Sequence, residues 1–169
     1  MRHLYVHYKH KITNGGSKTQ EKSMKQFKII REVTLKYKTG ERVREYKMGS
    51  PEAVFNFLKD KIGDEAQENM VALYINNKNE LQSWALVSRG TISETIVHPR
   101  EVFKCALLSN ASAVIMVHNH PSGHLKPSME DINATKRINE AGMLLGIPLL
   151  DHIIISSEGF YSMRQEAFL

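Results

Sequence analysis

The sequence predicts an α/β (α+β) fold, in which a mixed β-sheet is flanked by helices. Residues 113–117 and 147–156 are almost wholly apolar, as in strands that are buried on both faces of a sheet. Residues 70–75 and 81–88 flank a turn-like segment, and such a pair is typical of an antiparallel hairpin. A length of 169 residues, 41% of them hydrophobic, suffices for one domain with a substantial core.

The first helix is predicted from its start and from its apolar spacing. Ser50 offers a capping hydroxyl, and Pro51 fits the first helical position. Apolar residues then recur at intervals of three and four residues, and Gly63 is expected to end the helix.

Two further helices are expected, one on either side of the first buried strand. Residues 91–97 are predicted to be extended, and a helix is expected to follow over residues 99–109. The third helix is expected over residues 128–141, and the glycines at positions 142 and 146 are expected to break it.

The front of the chain is predicted to lie outside the main domain. Residues 1–24 are expected to be a basic, flexible N-terminal segment, and residues 25–48 are expected to be a β-hairpin extension. In this hairpin, residues 27–37 would pair with residues 42–46, and its open edge could pair with a second copy of the chain. The main domain then occupies residues 49–169.

The net charge of +5 is unevenly distributed along the chain. Residues 1–48 contain 13 lysines and arginines against 4 acidic residues, whereas residues 49–169 contain 10 against 14. A basic segment of this kind can bind DNA phosphates, although a solvated leader has the same composition. Any contact with DNA is therefore expected through residues 1–48.

The composition argues against several classes of protein. A single cysteine excludes an internal disulfide framework and a zinc site built mainly from thiolates. No apolar run reaches 18 residues and no apolar leader is visible, so a cytoplasmic protein without membrane contact is expected. The H-x-E and P-C-x-x-C signature of zinc deaminases is absent from the sequence.

The segment 118–131, HNHPSGHLKPSMED, carries the strongest chemical signal. His118 and His120 are two residues apart at the end of a predicted strand, so both imidazoles project from one face. Asp131 lies in the first turn of a predicted helix and can point back toward them. Two imidazoles and a carboxylate suit Zn²⁺ better than Mg²⁺ and leave a fourth position for water. Ser128 and Asp131 also suit the start of a helix, so a purely structural interpretation stays open.

The pattern H-x-H-P-x6-S-x2-D resembles the JAMM motif of JAB/MPN-domain zinc metalloproteins. Further segments resemble the bacterial RadC-type branch of these proteins: Arg89-Gly90-Thr91 and residues 99–103, 118–123, 127–128 and 151–154. The resemblance covers residues 49–169 and implies a JAB/MPN-like mixed sheet with cytidine-deaminase-like layering. The chain departs from the usual pattern at His124, where an acidic residue is common, and in residues 1–48, which show no helix-hairpin-helix pattern.

The resemblance implies a zinc-dependent hydrolase of the JAMM metalloprotease type, which cleaves a peptide or isopeptide bond with an activated water. His118, His120 and Asp131 would be the ligands of one Zn²⁺ per chain, and Ser128 would help to hold the tetrahedral oxyanion. The substrate would be a peptide or protein that the sequence does not identify. The alternative is a non-enzymatic, DNA-associated accessory protein, in a DNA-repair or mobile-element context, that binds through its basic N-terminal segment.

The resemblance also implies a general base, which is a glutamate at the edge of an early strand. Glu68, directly before residues 70–75, is the best match by order and context. Glu80 and Glu94 also flank predicted strands and remain alternatives, because the sequence does not measure their reach to a water molecule. His152 is interpreted as a residue behind the ligands or as a satisfied core histidine, with ligation as the alternative.

Overall fold

The chain divides into two compact units, which comprise residues 1–41 and 42–169. A computed structural model of the chain describes residues 4–7, 34–37, 46–90 and 97–169. Within these ranges, no helix is both long and apolar enough to cross a membrane.

The described residues of the first unit form two short antiparallel strands. β1 (Leu4–His7) pairs with β2 (Thr34–Tyr37), with Leu4 opposite Tyr37. β2 lies inside the strand predicted at residues 27–37, whereas β1 lies within the segment predicted at residues 1–24 and was not itself predicted as a strand. Four residues are too few for a recognisable alternation of apolar and polar positions. The expected partner strand lies outside the described residues, except for Tyr46, so the predicted hairpin stays a prediction.

The second unit is built around a five-stranded sheet in the order β4-β3-β5-β6-β7. Its strands are β3 (Asn69–Ile75), β4 (Leu81–Arg89), β5 (Ala113–Asn119), β6 (Leu149–Ile155) and β7 (Phe160–Ser162). β5 and β6 are parallel, and the other neighbours are antiparallel. This mixed sheet confirms the predicted α/β (α+β) class. The sequence did not predict β7, which has only three residues.

In the described part of the second unit, three α-helices flank the sheet: α1 (Pro51–Leu58), α2 (Pro99–Leu108) and α3 (Met129–Leu145). The predicted start of α1 is confirmed, because the Ser50 side chain accepts a hydrogen bond from the backbone N–H of Ala53. A π-helical turn, Lys59–Gly63, follows α1 and ends at the predicted glycine. Of the segment predicted to be extended before α2, residues 91–96 lie outside the described ranges.

The two faces of the sheet contribute to two separate apolar clusters. Every residue of β3 and β5 is buried, as expected for central strands covered on both sides. Alternate residues of β3 therefore pack in opposite directions: Val71 belongs to the cluster under α1, whereas Ala72 belongs to the cluster under α2 and α3. The layering places α1 on one face and the other two helices on the opposite face.

Gly142 corrects the prediction that α3 breaks after residue 141. The helix continues through Gly142 to Leu145, and it ends at Gly146, which adopts the left-handed conformation with φ of 69°. Gly142 instead provides space, because a Cβ there would lie 2.6 Å from the Ile147 carbonyl oxygen and 3.1 Å from Phe103 Cζ. A glycine inside a helix can thus mark close packing rather than a helix end.

We expect Gly142→Ala to destabilise the second unit despite the higher helix propensity of alanine. The propensity gain of about 1 kcal/mol offsets only part of the clash with a backbone oxygen, and a net loss of about 1 to 2 kcal/mol follows. Urea unfolding of the variant measures this loss. Gly49→Ala is the control, since nothing lies within 4 Å of a Cβ at that position. Equal stability of the two variants would contradict the packing role of Gly142.

Candidate metal centre

β5 carries two histidines to the carboxyl end of the central strand. His118 lies within the strand and is fully buried, while His120 follows it and keeps 15% of its side-chain surface exposed. Because their positions differ by two, both side chains leave the sheet on the side of α3. Their Nε2 atoms approach to 2.9 Å of each other. The structure therefore brings the two predicted ligands together.

α3 supplies the carboxylate of Asp131 through the geometry of its first turn. Ser128 is the N-cap: its Oγ accepts a hydrogen bond from the Asp131 backbone N–H and donates one to Asp131 Oδ2 at 2.6 Å. The Ser128 backbone N–H donates to the same Oδ2 at 2.7 Å. This capping box leaves Oδ1 directed toward His118, 3.2 Å from its Nε2, while His120 Nε2 lies 3.6 Å from Oδ2.

The antiparallel pairing of β3 with β5 brings Glu68 to the same edge of the sheet. Met70 lies opposite His118, so a residue that precedes β3 comes close to the end of β5. Glu68 Oε1 lies 3.8 Å from His118 Nε2, and the side chain is 15% exposed. The Glu68 carbonyl accepts a hydrogen bond from Gly90 N–H, which ties it to the end of β4.

Of the other two candidate bases, Glu80 has a described position, and it lies far from the histidines. Ile75, at the opposite end of β3, lies about 17 Å along the strand from Met70, and Glu80 belongs to the turn that follows Ile75. There its Oε2 accepts a hydrogen bond from the Asn76 side chain. Glu94 lies outside the described residues, so its position stays untested. Of the glutamates with a described position, Glu68 is the one that the fold brings to the histidines.

Burial determines the charge state of the two innermost histidines. Complete burial, and then the proximity of His152, hold the pKa of His118 well below the usual range for histidine. Burial likewise lowers the pKa of His152 to about 4. His152 Nε2 lies 2.8 Å from His118 Nδ1, on the side of the ring away from Asp131. His152 therefore stands behind His118, in agreement with one of its interpretations from the sequence.

The charge of Asp131 controls the more exposed part of the cluster. Burial alone would raise the pKa of Asp131, but the neighbouring His120 and His118 and the two hydrogen bonds from Ser128 hold it well below its usual range. Its interaction with Asp131 in turn raises the pKa of His120, against the opposing effect of burial. The carboxylate is thus ionised at neutral pH, and it attracts positive charge to the cluster.

Glu68, His118, His120 and Asp131 form a group that could hold a metal ion, with one ligand atom from each within 4.8 Å of the others. Ligand nitrogens or oxygens about 2.0 to 2.1 Å from a tetrahedral zinc would be about 3.3 Å apart. Two distances are close to this value: 2.9 Å between the Nε2 atoms of the two histidines, and 3.2 Å from His118 Nε2 to Asp131 Oδ1. Two nitrogens and a carboxylate oxygen are also a donor set that zinc prefers.

A buried acceptor without a donor gives a second sign of a cation site. Among the described residues, Asp131 Oδ1 is buried and receives no hydrogen bond. It faces the Nε2 of His118, and the Nδ1 atoms of both site histidines are directed to other partners, His152 and the carbonyl of His124. Buried acceptors that converge in this way are stable only with a cation or proton between them. The residues present therefore fit a metal ion.

Asn119 is a site residue that the sequence analysis did not identify. Asn119 is the residue between the two histidines in the sequence. Its side-chain oxygen accepts a hydrogen bond from the Asn69 backbone N–H at 2.8 Å. It also donates to the carbonyls of Glu65 and Gln67, both at 3.1 Å. These bonds fasten the loop that carries Glu68. A polar residue in a wholly buried strand was the available signal, because such a group needs partners.

Fold and site together define an α/β protein with a candidate single-metal centre at the edge of a mixed sheet. The chain belongs to the RadC-like JAB domain family, since the family model of that description matches residues 48–168. The resemblance stated from the motifs is thereby confirmed.

The chain is also similar to proteins named UPF0758 from archaea and bacteria. It is 45% identical over 123 residues to one from Methanosarcina mazei, covering 73% of this chain and 54% of the relative. It is 48% identical over 120 residues to one from Finegoldia magna, covering 71% and 54%. A relative from Staphylococcus haemolyticus is 40% identical over 148 residues, covering 83% and 65%. The chain thus spans about half to two thirds of the length of these relatives.

Proposed function

We propose that this protein is a zinc-dependent hydrolase of the JAMM metalloprotease type, which cleaves a peptide or isopeptide bond. The observation that carries the proposal is the convergence of two histidine Nε2 atoms and a buried Asp131 oxygen, with the Glu68 carboxylate 3.8 Å from His118. Membership of the RadC-like JAB family supports it. Hydrolysis of this type requires a metal centre and a carboxylate base close to it, and the site offers both kinds of group.

Three side chains would hold the metal ion. His118 and His120 offer Nε2, and Asp131 offers Oδ1, because Ser128 occupies its Oδ2. A bound zinc ion would supply Lewis acidity, which lowers the pKa of a water molecule toward 7 and polarises a carbonyl. Burial keeps His118 neutral, as ligation requires.

Glu68 would act as the general base. Its carboxylate lies at the rim of the cluster, where it is partly exposed and within reach of one water molecule beside His118. It would accept a proton from the attacking water and return it to the leaving amine. The hydrogen bonds of Asn119 to the preceding loop would hold Glu68 in this position.

Ser128 has a clear positioning task in this proposal. Its hydroxyl proton is donated to Asp131 Oδ2, so the hydroxyl orients a ligand carboxylate and caps α3 at once. The role of Ser128 in holding a tetrahedral oxyanion stays a prediction, because that role requires the same proton for the substrate.

Elemental analysis of the purified protein tests the metal centre. We expect about one zinc per chain in the wild type. Mutation of a residue that supports a ligand typically lowers metal affinity roughly 10- to 100-fold, and we expect His118→Ala, which removes a ligand, to lower zinc affinity by more than that. His124→Ala is the matched control, because its imidazole is exposed and only its backbone carbonyl contacts His120. Clean wild-type protein that holds almost no zinc, and takes up none when zinc is added, would overturn the proposal.

Contact with DNA remains a separate prediction. It depends on the basic residues 1–48, of which the structure describes residues 4–7, 34–37 and 46–48. An affinity that falls steeply with salt would be its signature.

A further inference from the structure

Three buried hydrogen bonds form a chain from α3 through β6 to His118. The Thr135 hydroxyl lies 2.6 Å from the Asp131 backbone carbonyl oxygen and 2.6 Å from His152 Nδ1. The other ring nitrogen of His152, Nε2, lies 2.8 Å from His118 Nδ1. Thr135, His152 and His118 are each at most 1% exposed, so water does not compete for these bonds.

The position of the hydroxyl proton of Thr135 follows from its two partners. A carbonyl oxygen can only accept, so the 2.6 Å contact with Asp131 requires that Thr135 donates to it. The hydroxyl has no second proton, and it must therefore accept from His152. If Thr135 donated to His152 instead, two acceptor oxygens would face each other at 2.6 Å. His152 consequently carries a proton on Nδ1.

The same reasoning continues to His118. His152 is fully buried, and its two ring nitrogens face the Thr135 hydroxyl and His118 rather than a carboxylate, so a second ring proton would be a buried charge without a counterion. The ring therefore carries one proton, and a proton on Nδ1 leaves a lone pair on its Nε2. That lone pair accepts from His118, which therefore carries its own proton on Nδ1. The His118 Nε2 lone pair is then left facing His120 and Asp131, where a metal ion needs it.

We propose that Thr135 and His152 are positioning residues that hold His118 in the Nδ1–H tautomer and so direct its Nε2 lone pair at the metal centre. His120 needs no such device, because its Nδ1 faces the carbonyl of His124, which can only accept. His118 instead relies on a side chain that could serve either as donor or as acceptor. The inference rests on the proposed metal centre, although not on hydrolysis.

Thr135→Val removes the hydroxyl and keeps the shape of the side chain. The Nδ1–H of His152 then lacks an acceptor in a fully buried position, which carries a penalty. Its proton can move to Nε2, from where it is donated to His118 Nδ1. His118 would then carry its proton on Nε2, directed at the point where the metal binds. Thr135→Ser keeps the hydroxyl and is the matched control.

Two measurements test the inference. Nitrogen-15 NMR of metal-free protein labelled at histidine reports the tautomer of His118, which we expect to be Nδ1–H in the wild type and in Thr135→Ser. In Thr135→Val we expect the Nε2–H form to appear. Competition with a chromophoric chelator reports zinc affinity, which we expect to fall about 10- to 100-fold in Thr135→Val and to recover in Thr135→Ser.

The outcomes separate this inference from the proposed function. An Nε2–H tautomer of His118 in metal-free wild type overturns the inference even if zinc binds tightly, and this result needs no folded variant. Unchanged zinc affinity in folded Thr135→Val overturns it as well. An Nδ1–H tautomer in a protein that binds no zinc overturns the proposed function while the arrangement of protons stands.

Discussion

Glu68→Gln is expected to abolish hydrolysis while the protein keeps its zinc. The amide has the size of the carboxylate but is not a base, so the turnover rate should fall about 100- to 10,000-fold. The metal should stay, because His118, His120 and Asp131 provide the closely spaced ligand atoms, whereas Glu68 lies 3.8 Å from His118. Cleavage of a library of internally quenched peptides and zinc content in the same samples measure the two effects.

Glu65→Gln is the matched control for this experiment. Glu65 belongs to the same loop, its side chain is exposed, and only its backbone carbonyl receives a bond from Asn119. The control should keep both activity and zinc. A Glu68→Gln protein that loses zinc would show that Glu68 is a ligand, and one that retains full turnover would show that it is not the base.

Asp131→Asn is expected to lose the metal centre without losing the fold. The amide oxygen can still accept from Ser128, and the amide N–H then points at the Nε2 atom of His118. The amide N–H thereby takes the position where a ligand oxygen would face the cation. Zinc affinity should therefore fall by more than the roughly 100-fold that is typical of losing a residue behind the ligands. Chelator competition measures this fall.

The metal-free form of the same variant is expected to be at least as stable as the metal-free wild type. Asp131 Oδ1 is a buried oxygen without a hydrogen-bond donor among the described residues, and such an atom costs about 1 to 3 kcal/mol. Thermal unfolding at pH 8 with a chelator present tests this, since His120 is then less protonated than at neutral pH. Glu130→Gln, an exposed change in the same helical turn, should alter neither quantity. A strongly destabilised Asp131→Asn would contradict the assignment of Oδ1 as an unsatisfied acceptor.

The elements with strong local patterns were predictable from the sequence. The apolar runs of β3, β5 and β6 and the Ser-Pro start of α1 identified buried strands and a helix start directly. β1 and β7 were not predicted as strands, because three or four residues are too few to show a periodic apolar pattern. Gly142 was misread because its reason is a tertiary contact with the chain after α3, which local sequence does not contain.

The site divides in the same way between local and long-range information. His118, His120 and Asp131 were predictable, because a two-residue period and a helix cap are local rules. The approach of Glu68 depends on the register that places Met70 opposite His118, and a sequence without that register offered three candidates.

The residues behind His118 required still more distant information. His152 reaches His118 because β6 runs parallel to β5, with His152 opposite Met116, two residues before His118. Thr135 lies one helical turn after Asp131, but its role depends on the packing of α3 against β6. Neither packing contact can be read from spacing alone, so the proton arrangement became visible only in the folded chain.

The capping box at the start of α3 has a consequence for the choice of ion. With Oδ2 held by the backbone and hydroxyl of Ser128, the Asp131 carboxylate can offer only one oxygen to a cation. Calcium takes six to eight oxygen ligands, often from bidentate carboxylates, and magnesium demands octahedral oxygen coordination. Monodentate ligation beside two imidazoles satisfies neither ion. Helix capping, normally a matter of secondary structure, would thereby limit the number of ligand oxygens that a bound cation receives from Asp131.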